Sequence, residues 1–597
     1  MENKIVDSKV YSLKELFSDK FEVDFYQREY VWQRKQMEDL IMDLSLEFLK
    51  NWKPEDRLSN VRDYDPYYMG EIVLSIKGGK RSSIIDGQQR ITSLTLLLIY
   101  LVRNYGKVKN FPEEIKKLIY DDYYGEQLFN LDVEERNECM LSLYEYGEYK
   151  LKGTDTISVK NLVERYNDIS ECWNEQINEK NIVSFTYWLK EKVVFSRVWT
   201  NSDEFAYVIF ETMNDRGLSL TQVEMLRSYL LANIEESFRL KAMKNFDEII
   251  RKLMNIKLAS KSKAEFEFFK IYFRGHYVDD ITQGRNSNSG FVQIGKEFHR
   301  WLRDNSNKLG LKTSNDFINF LNKITYFASI YEKIDKIVQS RDTRNYLYLV
   351  VNSDYGFTLQ PALILASIRY NDSDSVVEEK IKIVSKYLTK LLSWRVWNQN
   401  MISQSAMENT IYNLCKKIRN ADVNNLKEIL ETNSNSILEL ENSPTLNRSN
   451  KNAIKVLLSL ITELVAKEIN ESDYMLNKEE EIEIEHIWSN HYEEHVNEFE
   501  NIDDFVLARN NIGDLLVLPR SFNRSYGDKS YSEKVKQYFS QNILAQTLNK
   551  QKYENNPTFL KFVRDTGLPF CSYENFTRKA INERAELYKK ILKWNWR

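Results

Sequence analysis

Residues 86–90 read Asp-Gly-Gln-Gln-Arg and combine a carboxylate, a flexible backbone position, two amides and a cation. They separate a strand-like run from a strongly apolar helical run that begins at Leu94. A glycine corner that opens a helix offers backbone N–H groups and a fixed cation to a phosphate. Arg90 would hold that phosphate with two hydrogen bonds, and Asp86 would hold Mg²⁺ or orient a water molecule. The alternative is structural, a helix start at which Arg90 pairs with Asp86.

A second set of reactive side chains lies near the end of the chain. Histidine is scarce, with five in 597 residues, and His486 ends an alternating apolar run, 482–486. It follows the carboxylate Glu485 and precedes a second strand-like run, 513–518, and then Asn523. A neutral imidazole can remove a proton from water near pH 7. Because side chains alternate along a strand, Glu485 and His486 should point to opposite faces unless the strand ends there.

The elements that must position these residues predict an α+β, mainly helical chain. Two strand-like runs, 69–76 and 82–85, flank Gly78-Gly79 and predict a hairpin that leads into the corner. The region from about 111 to 440 is predominantly helical in its apolar spacing. Only 18 Gly and 8 Pro in the chain favour helices over long linkers.

Several strings resemble a known family. The corner at 86–90 is similar to the DGQQR motif of the GmrSD-type modification-dependent (type IV) restriction family, whose N-terminal domain is a ParB-like nucleotide-binding and hydrolysing module. The strings at 26–32 and 210–218 match that family's YQRxYxW and FxxxNDRGxxL patterns. The string Ile-Glu-His-Ile at 484–487 resembles the C-terminal HNH-like nuclease domain that partners DGQQR domains in GmrSD-type and SspE-type proteins.

The resemblance implies that the N-terminal domain binds and hydrolyses a nucleoside triphosphate, with GTP, UTP and ATP not distinguished. The residues it implies for nucleotide binding are Gln27, Arg28, Asp86, Gly87, Gln88, Gln89, Arg90, Asn214 and Arg216. Arg28 and Arg216 could instead be structural.

The resemblance also implies an NTP-regulated DNA endonuclease of anti-phage defence with an HNH-like, ββα-metal C-terminal domain that uses Mg²⁺ or Mn²⁺. The implied catalytic residues are His486 as the base, Asp514, Asn523 and, for the nucleotide, Asp86; the implied metal ligands are Glu485, Asp514 and Asn523. The family usually has Asn where this chain has Asp514. That departure leaves open a non-catalytic, nucleotide-gated DNA sensor with a degenerate nuclease domain.

The sequence predicts three domains: a ParB-like domain at 1–235, a helical connecting domain at 236–440 and an HNH-like domain at 441–597. A formal charge of −4 does not exclude a local basic groove. Five basic residues between 519 and 540, Lys534 among them, could contact phosphates that flank a cleavage site, and the alternative is a solvated helix face. Four scattered cysteines indicate neither a zinc site nor a disulfide framework. The predicted partners are DNA, modified or phage-derived, and a nucleoside triphosphate, with no membrane and a cytoplasmic location. A homo-oligomer is left open.

Overall fold

In this computed structural model two compact units are distinguished by their internal contacts, Met1–Arg239 and Leu240–Arg597. The structure describes residues 6–23, 29–75, 81–123, 126–200, 221–257, 262–281, 289–435, 439–470, 481–526, 529–554 and 556–596.

The first unit is built around a six-stranded mixed sheet in the order β1-β8-β3-β4-β2-β7, with β5 and β6 forming a separate hairpin. Its strands are β1 Val6–Ser12, β2 Phe21–Val23, β3 Tyr67–Ser75, β4 Ser82–Asp86, β5 Tyr120–Tyr123, β6 Glu126–Phe129, β7 Leu131–Asp132 and β8 Val193–Thr200. Strands β3 and β8 pair in parallel, whereas β3 and β4 pair antiparallel. The predicted hairpin leading to the corner is therefore present, although Gly78 and Gly79 lie outside the described residues.

Eight helices belong to the described part of this unit. They are α1 Leu13–Phe17, α2 Arg34–Asn51, α3 Gln88–Tyr105, α4 Glu114–Ile119, α5 Glu134–Tyr146, α6 Ile157–Glu171, α7 Ile182–Lys192 and α8 Gln222–Ala232. Helix α3 is buried from Ile91 to Leu101, which explains why the apolar residues from Leu94 onward lie on every face of the helix. Thr221 caps α8, because its hydroxyl accepts a hydrogen bond from the Glu224 N–H at 3.2 Å.

Strand β8 interrupts the region that was predicted to be predominantly helical. Its alternate residues Val193 and Phe195 are fully buried, and the strand lies between β1 and β3. The strands that pair with β8 are distant from it in the sequence. The local apolar spacing, which is helical on both sides of β8, therefore did not predict this strand.

The second unit is mainly helical. Its helices are α9 Glu236–Met254, which begins just before the division, α10 Ala264–Tyr277, α11 Gly290–Asp304, α12 Ser314–Ser340, α13 Thr343–Asp354, α14 Gln360–Ser367, α15 Asp374–Trp397, α16 Gln404–Ile418, α17 Val423–Asn435, α18 Lys451–Glu468, α19 Ile502–Arg509, α20 Arg520–Tyr526, α21 Tyr531–Tyr538, α22 Ile543–Gln546, α23 Pro557–Thr566 and α24 Arg578–Asn595. The α+β, mainly helical class predicted from the sequence is confirmed.

Two strands, β9 Ile482–His486 and β10 Leu515–Pro519, form an antiparallel ribbon in the second unit. Leu515 pairs with His486 in the register, so His486 lies at the end of the ribbon. Helix α20 follows β10 directly, which gives the predicted order of strand, strand and helix. No helix among the described residues is long and apolar enough to cross a membrane.

Candidate functional sites

The corner in the first unit is formed where β4 turns into α3. Gly87 has φ of +101°, a conformation that L side chains rarely adopt, and a Cβ there would overlap the Ile72 side chain. Gly87 therefore lets the chain turn tightly against β3. Gly87 brings no side chain that could cap α3. The positive end of the helix dipole lies where α3 begins, beside Asp86 and Arg90.

Arg90 and Asp86 form an ion pair at this corner. The Nη2 atom of Arg90 donates to Oδ2 of Asp86 at 3.2 Å, and its Nη1 donates to the Met69 carbonyl at 3.2 Å. A side chain at Gly70 would overlap the guanidinium, so that glycine leaves room for it. The two side chains remain 24% and 39% exposed, respectively, so a ligand can reach both.

Gln89 holds a neighbouring segment rather than facing solvent. Its Oε1 accepts from the Val31 N–H at 2.9 Å, and its Nε2 donates to the Glu29 carbonyl at 3.0 Å. The adjacent Tyr30 hydroxyl is 2.7 Å from the Ser93 Oγ of α3. Helix α3 therefore fixes the position of the segment 29–31.

The predicted nucleotide-binding residues differ in their exposure. Gln88 and Gly87 are buried, whereas Asp86 and Arg90 form the accessible part of the corner. Four of the predicted residues lie outside the described residues, namely Gln27, Arg28, Asn214 and Arg216.

His486 is the central residue of the candidate site in the second unit. Its Nε2 is 3.2 Å from Oδ1 of Asn510. The Asn510 amide is oriented by its Nδ2, which donates to the Val506 carbonyl at 3.0 Å, so Oδ1 must accept. The Nε2 of His486 therefore carries the proton, and Nδ1 is left as the basic nitrogen.

The pKa of His486 is depressed from its ordinary value. Burial, followed by the positive charge of Arg509, lowers the pKa of His486 from 6.5 to about 4. The imidazole is consequently neutral at pH 7 and can accept a proton, as a general base must.

Glu485 points away from His486 and into the protein. Its Oε1 accepts from Lys534 Nζ at 2.8 Å and from the Tyr538 hydroxyl at 3.0 Å. The same Lys534 Nζ donates to the His486 carbonyl at 2.8 Å. Helix α21 thus holds both the Glu485 side chain and the His486 backbone.

Asp514 is completely buried. Its Oδ1 accepts from the Trp488 N–H at 3.1 Å, and within the described residues Oδ2 has no hydrogen-bond partner. Burial raises the pKa of Asp514 well above its ordinary value of 3.8, although Arg509 and Lys534 oppose this shift. Asp514 therefore fixes the chain just after His486 through its contact with the Trp488 N–H.

Asn523 and the neighbouring basic residues contact other partners. Asn523 Nδ2 donates to Glu483 Oε2 at 3.1 Å, and Arg520 pairs with both Glu481 and Glu483. Lys534, one of five basic residues between 519 and 540 that the sequence offered as phosphate contacts, is buried against Glu485 instead.

The predicted metal ligands do not form a cation site in this arrangement. Glu485 accepts a hydrogen bond from Lys534, Asp514 is completely buried, and Asn523 donates to Glu483. In the part of the chain that the structure describes, no group of three or more His, Cys, Asp or Glu side chains could hold a metal ion. Divalent-metal dependence stays a prediction, and no chemical step is derived from it.

Sequence reasoning missed Asn510, Lys534 and Tyr538 as parts of this site. The first orients the imidazole, and the other two hold Glu485. Lys534 and Tyr538 are four residues apart in α21 and share one helix face, which was the available signal.

The chain thus combines two candidate sites, a glycine corner at a helix start in the first unit and a histidine on a β-ribbon in the second. The family profile described as GmrSD restriction endonuclease, N-terminal domain, matches residues 13–231. The profile described as GmrSD restriction endonucleases, C-terminal domain, matches residues 431–591. The chain belongs to the GmrSD restriction endonuclease family, and DNA is therefore its substrate. No curated protein matches the chain.

Proposed function

We propose that this restriction endonuclease is regulated by a nucleoside triphosphate bound at the corner and cleaves DNA with His486 as the general base. The observation that carries the proposal is the geometry of His486, a neutral imidazole fixed by Asn510 with Nδ1 free of that contact. The substrate is modified or phage-derived DNA.

At the corner, the positive end of α3 and the guanidinium of Arg90 offer hydrogen bonds and charge to phosphate oxygens. Asp86 lies 3.2 Å from Arg90 and orients the attacking water during hydrolysis of the triphosphate. Gln89 contributes indirectly, since it holds the segment that follows Gln27 and Arg28.

Replacing Arg90 tests the nucleotide site. We expect Arg90→Ala to weaken nucleotide binding by about tenfold or more, because a charge-assisted contact to phosphate is lost. The measurement is a titration of the full chain with fluorescent analogues of GTP, UTP and ATP. Arg103→Ala is the matched control, an arginine in the last turn of the same helix. Equal affinities for the two variants would reject the corner as the nucleotide site.

In the second unit, His486 Nδ1 takes a proton from water, and the hydroxide formed attacks the phosphorus of a phosphodiester. One P–O ester bond breaks as the new P–O bond forms, and the departing sugar oxygen takes up a proton from a second water molecule. Asn510 keeps the imidazole in the correct tautomer while the proton is taken up. Lys534 and Asp514 only position the imidazole. Lys534 donates to the His486 carbonyl, and Asp514 accepts from the Trp488 N–H two residues further on.

Cleavage of phage DNA tests the regulation. Modified and unmodified DNA are incubated with the wild type, Asp86→Ala and His486→Ala, with and without nucleoside triphosphate. We expect nucleotide-dependent cleavage of modified DNA by the wild type, loss of the nucleotide response in Asp86→Ala and no cleavage by His486→Ala. Parallel reactions with EDTA, Mg²⁺ or Mn²⁺ test the predicted metal dependence. Binding without cleavage under every condition would favour the DNA sensor instead.

A further inference from the structure

A cavity of about 360 Å³ in the second unit has no role in the proposed chemistry. Helices α13, α15, α18 and α24 line it, and none of its lining residues belongs to the candidate histidine site. A volume of this size is within the range of small-molecule binding sites.

Positive charge dominates the lining of this cavity. Arg344, Lys382, Lys386 and Lys467 line it, against the single carboxylate of Glu468. Lys467 is already engaged, since its Nζ donates to the Thr343 carbonyl at 2.8 Å. The other three cations are exposed, and none forms an ion pair with the residues that the structure describes. They are therefore available to an anionic ligand.

Aromatic rings lie beside these cations. Tyr346 and Trp594 line the cavity, and Lys382 Nζ is 5.3 Å from the centre of the Tyr346 ring. Trp594 packs edge to face on Phe562, with ring centres 5.6 Å apart, which restrains its orientation. Partly buried rings beside cations suit a ligand that is both planar and anionic, because bases stack on such rings.

An apolar ligand would leave the three exposed cations of the lining without a counter-charge.

We propose that the cavity binds a single nucleotide. Its phosphate contacts Arg344, Lys382 and Lys386, and its base stacks on Tyr346 and Trp594. Two sources share this chemistry, a free mononucleotide and a nucleotide turned out of the DNA substrate. Only the second source rests on the proposed function.

The first experiment measures binding of 2-aminopurine deoxyribonucleoside monophosphate, whose fluorescence falls on stacking. The full-length chain carries Arg90→Ala so that the corner does not contribute. We expect quenching that Tyr346→Ala removes and an affinity that Lys386→Glu lowers by about tenfold or more. Lys417→Glu is the control, an exposed lysine of α16 outside the cavity. Circular dichroism shows that each variant is folded.

The second experiment separates the two sources by placing 2-aminopurine within single-stranded and duplex 20-nucleotide DNA. Quenching of the DNA probes that is sensitive to Lys386→Glu assigns the cavity to DNA, whereas quenching of the mononucleotide alone assigns it to a free nucleotide. Equal affinities of the wild type, Lys386→Glu and Tyr346→Ala for every probe would overturn the inference, as would binding of none. Cleavage that depends on His486 would then still support the proposed function.

Discussion

Asp514 carries a completely buried carboxyl group. Its Oδ1 accepts the Trp488 N–H, and burial raises the pKa of the group well above its ordinary value. The family's usual Asn would accept the same hydrogen bond. The departure at this position therefore does not by itself indicate a degenerate nuclease.

Asp514→Asn should stabilise the protein increasingly as the pH rises. The raised pKa means that the folded state binds the Asp514 proton more tightly than the unfolded state. Proton binding therefore stabilises the wild type fully below pH 3.8, and this stabilisation is lost as the pH rises through the folded-state pKa. The asparagine variant has no titratable group at this position, so its stability does not fall with pH in this way. Thermal unfolding between pH 5 and 8 should show its melting temperature rising relative to the wild type, by the equivalent of about 1 kcal/mol or more.

The exposed Asp565 provides the control for that comparison, since Asp565→Asn removes a carboxylate from the surface of α23. A melting difference for Asp514→Asn that stays constant with pH would show that Asp514 is ionised in the fold.

The close packing of α24 against the start of β10 holds Asp514 in place. A Cβ at Gly513 would overlap the Ile581 carbonyl and lie 2.9 Å from the Ala585 backbone N, and neither backbone atom can move without the helix. This contact belongs to the packing of two elements, since the residues involved are far apart in the sequence.

Gly513→Ala should therefore destabilise the second unit by about 2 kcal/mol or more, because overpacking forces the backbone to shift. Thermal unfolding of the full chain is the measurement, with Gly153→Ala as the control. A Cβ at Gly153 would meet no atom within 4 Å. A Gly513→Ala protein as stable as that control would mean that α24 does not pack here as described.

Local elements were predictable from the sequence, and their partners were not. The hairpin, the glycine corner and strand β9 follow from alternation, glycine and apolar spacing within a dozen residues. Lys534 contacts Glu485 across 49 positions of sequence. A local sequence pattern cannot indicate a contact between residues so far apart. Lys534 was therefore predicted to contact phosphate rather than Glu485.

At the scale of the whole molecule, the corner and the histidine site lie in different compact units. A family match to both units places them in one restriction endonuclease. We propose that the nucleotide binds at Arg90 in the first unit and that phosphodiester hydrolysis occurs at His486 in the second. A variant at either site should therefore leave ligand binding at the other intact.

The central claim is that His486 is the base for DNA cleavage, and the rate of nicking of supercoiled modified plasmid tests it most directly. The wild type and His491→Ala, which changes a neighbouring histidine of the same unit, should cleave at similar rates. His486→Ala should lower the rate by at least about a hundredfold, as loss of a general base does, while binding the same DNA. Cleavage by His486→Ala at the wild-type rate would contradict the account.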